Sequence, residues 1–413
     1  MSISRLHSIP RFALPFTPAD FAAGLHAIFH GGPAPEALGF FGDRPKFWTR
    51  SGRQALLLLL KALSLKPGSG VAIPLFTDPS LFRAIVVAGH RPVFIDIDPR
   101  FLTIHPQSLA DAQGRFSAVV AVHLFGQLAD MPAVQEAAGG VPVIEDTAHA
   151  PFSYLNGCMA GRFGVASFYS FASTKYWPAG GGGLAVVNDA SLAHHMGDAI
   201  RALLPVSRFQ EFHNLFLQSA KAAVFHPRLY GICGRPMRRW AEKWALLEPS
   251  LDSRAIHRSG AAVACRQALR LPQRVKLQRA NSLRLLERLG MVEDLVFPWE
   301  RPGARYNYHL FPVLLRNREE RALMMAAMWA SFIDTSMIYS GVVNEARRHG
   351  YVSGCPIAES VADRLITLPN YAALSGQAID SVAQVFLSCL QACRDAGVKP
   401  AAPAELTPAG SIY

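Results

Sequence analysis

A lysine at position 175 closes a polar run, Ser167-Phe168-Tyr169-Ser170-Phe171-Ala172-Ser173-Thr174-Lys175, and four glycines, Gly180 to Gly183, follow shortly after. A lysine partly desolvated near a cationic ring has a lowered pKa and becomes a nucleophile toward an aldehyde. Ser170 and Ser173 offer hydroxyls to a phosphate, and the glycines allow close backbone approach to a ligand. Upstream, Val143-Ile144-Glu145-Asp146 reads as a strand that runs into Thr147-Ala148-His149. An acid at the carboxyl edge of an open α/β sheet lies where such sheets bind ligands. A carboxylate there can hold a pyridinium nitrogen protonated, which makes the ring an electron sink. His149 then meets the ring or its phenolic oxygen. Farther upstream, Ser51-Gly52-Arg53-Gln54 fits a capping box at a helix start, whose free N–H groups and positive dipole end suit a phosphate. Arg53 adds charge there. Singly, each feature has a plain reading: an ordinary cap, a surface lysine, a flexible loop. Their order along one chain is what points to chemistry.

These residues need a scaffold, and residues 51 to 189 alternate short apolar runs with helix-length segments, the pattern of a wound α/β sheet. The expected strands are Val71–Phe76, Pro92–Asp96, Ala118–His123, Pro142–Glu145, Ala166–Phe171 and Leu184–Val187. Helices are expected over Arg53–Ser64, Pro79–Ala88, Met131–Ala138 and Ser191–Leu203. Near-continuous Val/Ile/Leu/Phe runs suit strands covered on both faces. From about 201 to 290 the pattern is mostly helical, with prolines interrupting it. Beyond Tyr306 a strand is expected at Tyr308–Leu315, a helix at Arg318–Phe332, a short strand at Asp334–Tyr339 and a closing helix at Ile379–Arg394. The domain reading is therefore 1–250 for a large α/β domain with an N-terminal segment and a helical insertion, 251–398 for a smaller C-terminal α+β domain, and 399–413 for a tail.

The 413 residues are 50% hydrophobic and 17% charged, enough for a large buried core. No apolar run approaches the ~18 residues of a membrane-spanning helix, and no secretory signal is visible. The six cysteines form no CxxC pair, which argues against a zinc site and for reduced, buried thiols in a cytoplasmic protein. No metal is expected. Net charge is +11, a balance that attracts phosphorylated metabolites, nucleic acid or a lipid surface. No nucleic-acid-binding signature accompanies it. Between Arg201 and Lys243 eight Lys/Arg face two acids, with Phe209, Phe212, Leu215, Phe216 and Leu217 among them. A solvated helix face beside a core face is the preferred reading, and contact with a membrane surface the lesser one.

Taken together, these motifs resemble the DegT/DnrJ/EryC1/StrS family of sugar aminotransferases. Ser51–Leu56 resembles the family's N/S-G-T-x-A-L opening, and Pro92-Val93-Phe94-Ile95-Asp96-Ile97-Asp98-Pro99 its P-V-F-x-D-x-D-P segment. His123 to Met131, Ile144 to Ala150 and Ser170 to Lys175 with the glycines are similar to its next three motifs. Tyr308-His309-Leu310-Phe311 and Cys355 to Tyr371 are similar to its C-terminal ones. The resemblance implies a fold type I pyridoxal 5'-phosphate (PLP) dependent transferase. Such a fold has a large domain with a mostly parallel central sheet covered by helices, plus a smaller C-terminal α+β domain. It implies that Lys175 forms the Schiff base and shuttles protons, and that Asp146 pairs with the pyridine nitrogen. It also implies that His149 lies near the ring and that Ser170 with Gly52 and Arg53 holds the phosphate. His309 and Tyr339 are expected at the substrate end. The implied reaction moves an amino group from an amino acid, L-glutamate foremost, to a nucleotide-linked keto-sugar in a homodimer. The alternatives are a regulatory member of the fold and a sugar dehydratase, which would carry a histidine where Lys175 stands. Three departures from the family pattern stand out. Arg53 replaces the common threonine, Asp78 stands where many members have a ring-stacking aromatic, and residues 201–280 match poorly.

Overall fold

The computed structural model describes residues 8–238, 251, 253–395 and 397. The strands of the first half are β1 (Lys46–Thr49), β2 (Gly70–Pro74), β3 (Arg91–Ile95), β4 (Ala118–Val122), β5 (Val143–Asp146), β6 (Tyr154–Leu155), β7 (Cys158–Met159), β8 (Ala166–Ser170) and β9 (Gly183–Val187). Seven of them form one sheet in the order β1-β9-β8-β5-β4-β2-β3. Pairs from β3 to β8 are parallel, as crossover helices require, while β9 runs antiparallel to β8 and β1 antiparallel to β9. β9 reverses because no crossover helix separates it from β8. The chain turns back through a loop whose Gly180, Gly181 and Gly182 all have positive φ.

Helices cover both faces: α1 (Pro18–His30), α2 (Gly52–Ala62), α3 (Ser80–Val87), α4 (Pro106–Ala110), α5 (Met131–Ala137), α6 (Ala190–Arg201) and α7 (Arg208–Val224). Alternation along β5 decides which face each residue serves. Ile144 joins the cluster containing Leu56, Leu60 and Ile85, while Val143 packs with Met131 and Val134 on the other side. Fully buried leucines such as Leu56, Leu59 and Leu60 of α2 each contribute about 2 kcal/mol of transfer free energy. α2 starts at Ser51, whose Oγ accepts the Gln54 N–H at 3.2 Å; the Gln54 carbonyl oxygen accepts from the Arg50 N–H at 2.6 Å.

The second half contains α8 (Arg258–Ala268), α9 (Leu271–Leu289), β10 (Ala304–Arg305), β11 (Phe311–Leu314), α10 (Arg318–Ala330), α11 (Val342–Arg348), α12 (Pro356–Arg364), β12 (Leu365–Leu368) and α13 (Gly376–Asp395). α8 packs on α1 and α7, whereas α9, α10 and α13 enclose the antiparallel β11–β12 pair. Asp96, just past β3, accepts the Ile357 and Ala358 N–H groups at 3.1 and 2.8 Å and so caps the start of α12. Two distant sequence motifs thereby meet in one cap.

Several expectations need correction. Asp334–Tyr339 forms no strand: one bridge joins Ser336 to Thr367, and Tyr339 has φ 59. The strand expected from Tyr308 begins only at Phe311, because Tyr308 itself takes φ 52. In α7, Phe209, Phe212 and Phe216 are exposed (79%, 46% and 60%), while Glu211, Leu215, Gln218 and Ala222 form the buried face. The phenylalanines lie one position off the inward spacing. Cys233 is exposed rather than buried, although Cys355, Cys389 and Cys393 are buried. The 399–413 tail, and residues 239–243 of the basic stretch, lie outside the described residues. Among the described residues no helix is long and apolar enough to cross a membrane.

Candidate active site

A cavity of about 660 Å³ opens at the carboxyl ends of β5 and β8, within the range typical of small-molecule sites. Gly52, Arg53, Asp146, His149, Ser170, Lys175, His309 and Tyr339 all line it. Every site residue expected from the sequence therefore faces one space.

Asp146 ends β5 with its side chain buried, and its Oδ1 accepts the Ala148 N–H at 2.9 Å. Burial pushes its carboxyl up to about 6; Lys175 and the Ala148 N–H act in the opposite direction. Lys175 Nζ lies 2.8 Å from His149 Nε2. His149 Nδ1 accepts the Phe125 N–H at 3.3 Å, which assigns the proton of the neutral ring to Nε2. The Nε2 edge of the ring thus faces Lys175 Nζ. Burial, reinforced by Lys175 and His309, holds His149 well below the ordinary histidine range, so the neutral ring is the form at pH 7. His309 is kept neutral in the same way, by burial first and then by Lys175 and Arg274. The two imidazoles stand 4.5 Å apart at 58°.

The start of α2 forms the other end. Its first N–H groups have no partner within the helix. Gly52 permits a close approach there: a Cβ would come within 3.1 Å of Ser170 Cβ. Gly183 is tighter still, since a Cβ would meet the Ser51 backbone at 2.6 Å, which explains how β9 can lie against this turn. Arg53 Nε is buried without a hydrogen-bond partner. Burial lowers the guanidinium's pKa, and nearby Asp78 offsets this in part. Asp78 Oδ1 accepts the Ser80 N–H at 3.0 Å and supplies no ring face to the cavity. Ser173 lines the cavity but donates its hydroxyl to Gln218 Oε1 at 2.5 Å, whereas Ser170 stands next to Gly52. Tyr339 packs edge-on to Phe76 at 5.8 Å, and desolvation with Asp78 and Asp146 nearby raises its hydroxyl pKa well above normal.

The sequence reading missed three groups that position the site. Glu145, which faces away from Asp146, accepts N–H groups of Gly161, Phe163 and Gly164 at 2.7 Å each and contacts His123 Nε2 at 2.9 Å. Asn307 donates to the His149 and Pro151 carbonyls (3.0 and 2.8 Å) and accepts the His309 N–H (2.9 Å), so it ties the two histidine loops together. Gln278 of α9 donates to the Tyr308 and His309 carbonyls at 2.7 and 3.0 Å. The Glu145 acid beside Asp146 was a readable signal, whereas Asn307 and Gln278 are ordinary polar residues in sequence.

An acid, an amine and a phosphate-sized cup around one cavity fit PLP, and the orphaned Arg53 Nε and the Gly52–Ser170 approach fit its phosphate. Fold and site together define a PLP-dependent aminotransferase. Residues 39–387 match the sequence model of the DegT/DnrJ/EryC1/StrS aminotransferase family, and the chain belongs to that family. It is 28% identical over 356 residues to a UDP-N-acetyl-3-dehydro-alpha-D-glucosamine 3-aminotransferase of Acidithiobacillus ferrooxidans, with 85% of each chain covered. It is 27% identical to the spore coat polysaccharide biosynthesis protein SpsC of Bacillus subtilis, covering 84% of this chain and 86% of that one. The fold is that of the aminotransferase TlmJ from Streptoalloteichus hindustanus, with TM-score 0.75, 24% identity, and coverage of 94% of this chain and 100% of that one. Spr1654 of Streptococcus pneumoniae, solved in a PLP form, shares the fold at TM-score 0.73 and 18% identity, covering 94% and 99%.

Proposed function

We propose that the protein transfers the amino group of L-glutamate to a keto-sugar carried on a nucleotide, with Lys175 as the residue that carries PLP. The observation behind this reading is the shared cavity of Lys175 and Asp146, with His149 Nε2 2.8 Å from the lysine nitrogen. When bound, PLP supplies an electron sink for the carbon that loses its proton. Asp146 would hold the positive charge on the ring nitrogen, and His149 would offer its Nε2–H to the phenolic oxygen. The α2 start with Ser170 would hold the phosphate. Lys175 Nζ would act as general base for the α-proton of the donor, a role worth about 10²–10⁴-fold in rate. Relatives named for nucleotide-linked sugars support the acceptor class. We also propose a large cofactor domain over 1–250, a smaller domain over 251–398, and a homodimer.

The test is an absorbance spectrum of the purified protein before and after adding L-glutamate, followed by a screen of keto-sugar nucleotides. The cofactor band should change with glutamate and recover with the right acceptor. Lys175→Ala should abolish the band and lower turnover about 10³-fold or more. Full transamination by Lys175→Ala would overturn the assignment.

A further inference from the structure

Arg274 on α9 has no role in the reading above, yet it lines the cavity. Its Nη2 donates to the Tyr176 carbonyl at 2.9 Å, its Nη1 reaches Gln267 Oε1 at 3.4 Å, and its Cζ lies 5.3 Å from the Tyr176 ring centroid. Tyr176, the residue after Lys175, packs edge-on against His309 at 5.8 Å, and His309 in turn packs against His149. A cation therefore stands one ring beyond the histidines that flank the reactive amine.

Among the described residues that cation has no anionic partner. Along the same face, Asp20 is taken by Arg270 at 2.6 and 2.7 Å and by Arg266 at 3.4 Å, with Gln267 Nε2 adding a contact at 3.2 Å. One turn on from Arg270, Arg274 forms no ion pair among the described residues. A desolvated guanidinium without a counter-ion is unfavourable unless a ligand supplies the charge. Two of its N–H groups are engaged, which leaves three for a ligand. The hydroxyls of Tyr176, which Arg274 contacts, and of Tyr371, elsewhere on the cavity wall, are buried without a hydrogen-bond partner among the described residues. Burial raises the pKa of both phenols, so they remain neutral donors.

We propose that Arg274, with the hydroxyls of Tyr176 and Tyr371, binds a carboxylate of the amino-acid donor. This rests on the aminotransferase reading and deepens it. A planar guanidinium matches a planar carboxylate. A donor whose α-carbon reaches Lys175 Nζ carries a carboxylate one bond away, and Tyr176 and Arg274 line the same cavity as that nitrogen.

The experiment uses the PLP-loaded protein and its Arg274→Ala and Arg274→Lys variants, with two readouts. Steady-state kinetics separates KM from kcat for L-glutamate and for the sugar acceptor. Calorimetry measures binding of glutarate, which has the carboxylates but no amine. Arg274→Ala should raise the glutamate KM and the glutarate Kd about 100-fold, the loss of a charge-assisted pair, while the acceptor KM holds. Arg274→Lys should recover part of that loss, and added methylguanidine should partly rescue the alanine variant. Unchanged glutarate binding would overturn the proposal. A rise in acceptor KM alone would also overturn it, because Arg274 would then serve a phosphate. A wild-type protein that binds glutarate through Arg274 but leaves glutamate unreacted would sink the donor assignment under "Proposed function" and keep the carboxylate site.

Discussion

Replacing Asp146 by asparagine should pull two properties of the protein in opposite directions. The carboxyl is 6% exposed, and burial pushes it from the ordinary 3.8 up to about 6 in the cofactor-free chain, despite Lys175 and the Ala148 N–H. A folded-state value above the unfolded one means that the native chain binds more protons between the two. The associated stability is fully present below about pH 4 and is lost as pH rises through about 6. The gap between 3.8 and about 6 amounts to about 3 kcal/mol at neutral pH and above. Asparagine has the same shape, and its oxygen can still accept the Ala148 N–H. Cofactor-free Asp146→Asn should therefore resist urea better than wild type by about 2–3 kcal/mol at about pH 8, with the gain fading near pH 4. The same variant loses the charge that would hold a pyridinium, so PLP should bind about 10²–10³-fold more weakly. Urea denaturation at the two pH values and an equilibrium titration with PLP measure both effects. A cofactor-free variant less stable than wild type at about pH 8, or a difference independent of pH, would refute the burial argument.

Glu145→Gln should lower the urea midpoint by an amount equivalent to about 3–5 kcal/mol, because an amide group would face N–H donors that now meet carboxylate oxygens. A midpoint within error of wild type would contradict that account. Gly52→Ala should leave unfolding nearly unchanged, since alanine favours helices, yet weaken PLP binding about 10-fold by crowding Ser170 at 3.1 Å. Competition with inorganic phosphate provides the check: the variant should lose phosphate inhibition in parallel.

Local pattern was enough to find β2 to β5, β8, β9, α2, α3, α5 and α6 within a residue or two, because each carries its own period and punctuation. The catalytic candidates were legible for a related reason. Asp146 and Ser170 end β5 and β8, and Lys175 lies in the loop five residues past β8, where the chain itself signals the change from apolar to polar. β1 was missed because its pairing with β9 is set across a long separation: Lys46 lies opposite Val186. The expected strand at Asp334–Tyr339 had the right composition, but it meets its neighbours at single points: the Asp334 N–H donates to the Ile9 carbonyl at 2.9 Å, and Ser336 bridges to Thr367. Arg274 was invisible in sequence, since an arginine on an amphipathic helix reads as solvated. Its meaning depends on Asp20, 254 positions away, being already occupied by Arg266 and Arg270.

The two adjacent acids of β5 carry a consequence for how this gene can change. Glu145 braces the loop over 161–164 and Asp146 looks into the cavity, so the strand works in only one reading frame. Losing or gaining one residue ahead of it would exchange the two carboxylates, aiming the brace at the ligand and the ligand's anchor at the brace. Length variation should therefore accumulate in the surface connections and spare the approach to this strand, where change is tolerated in steps of two or not at all.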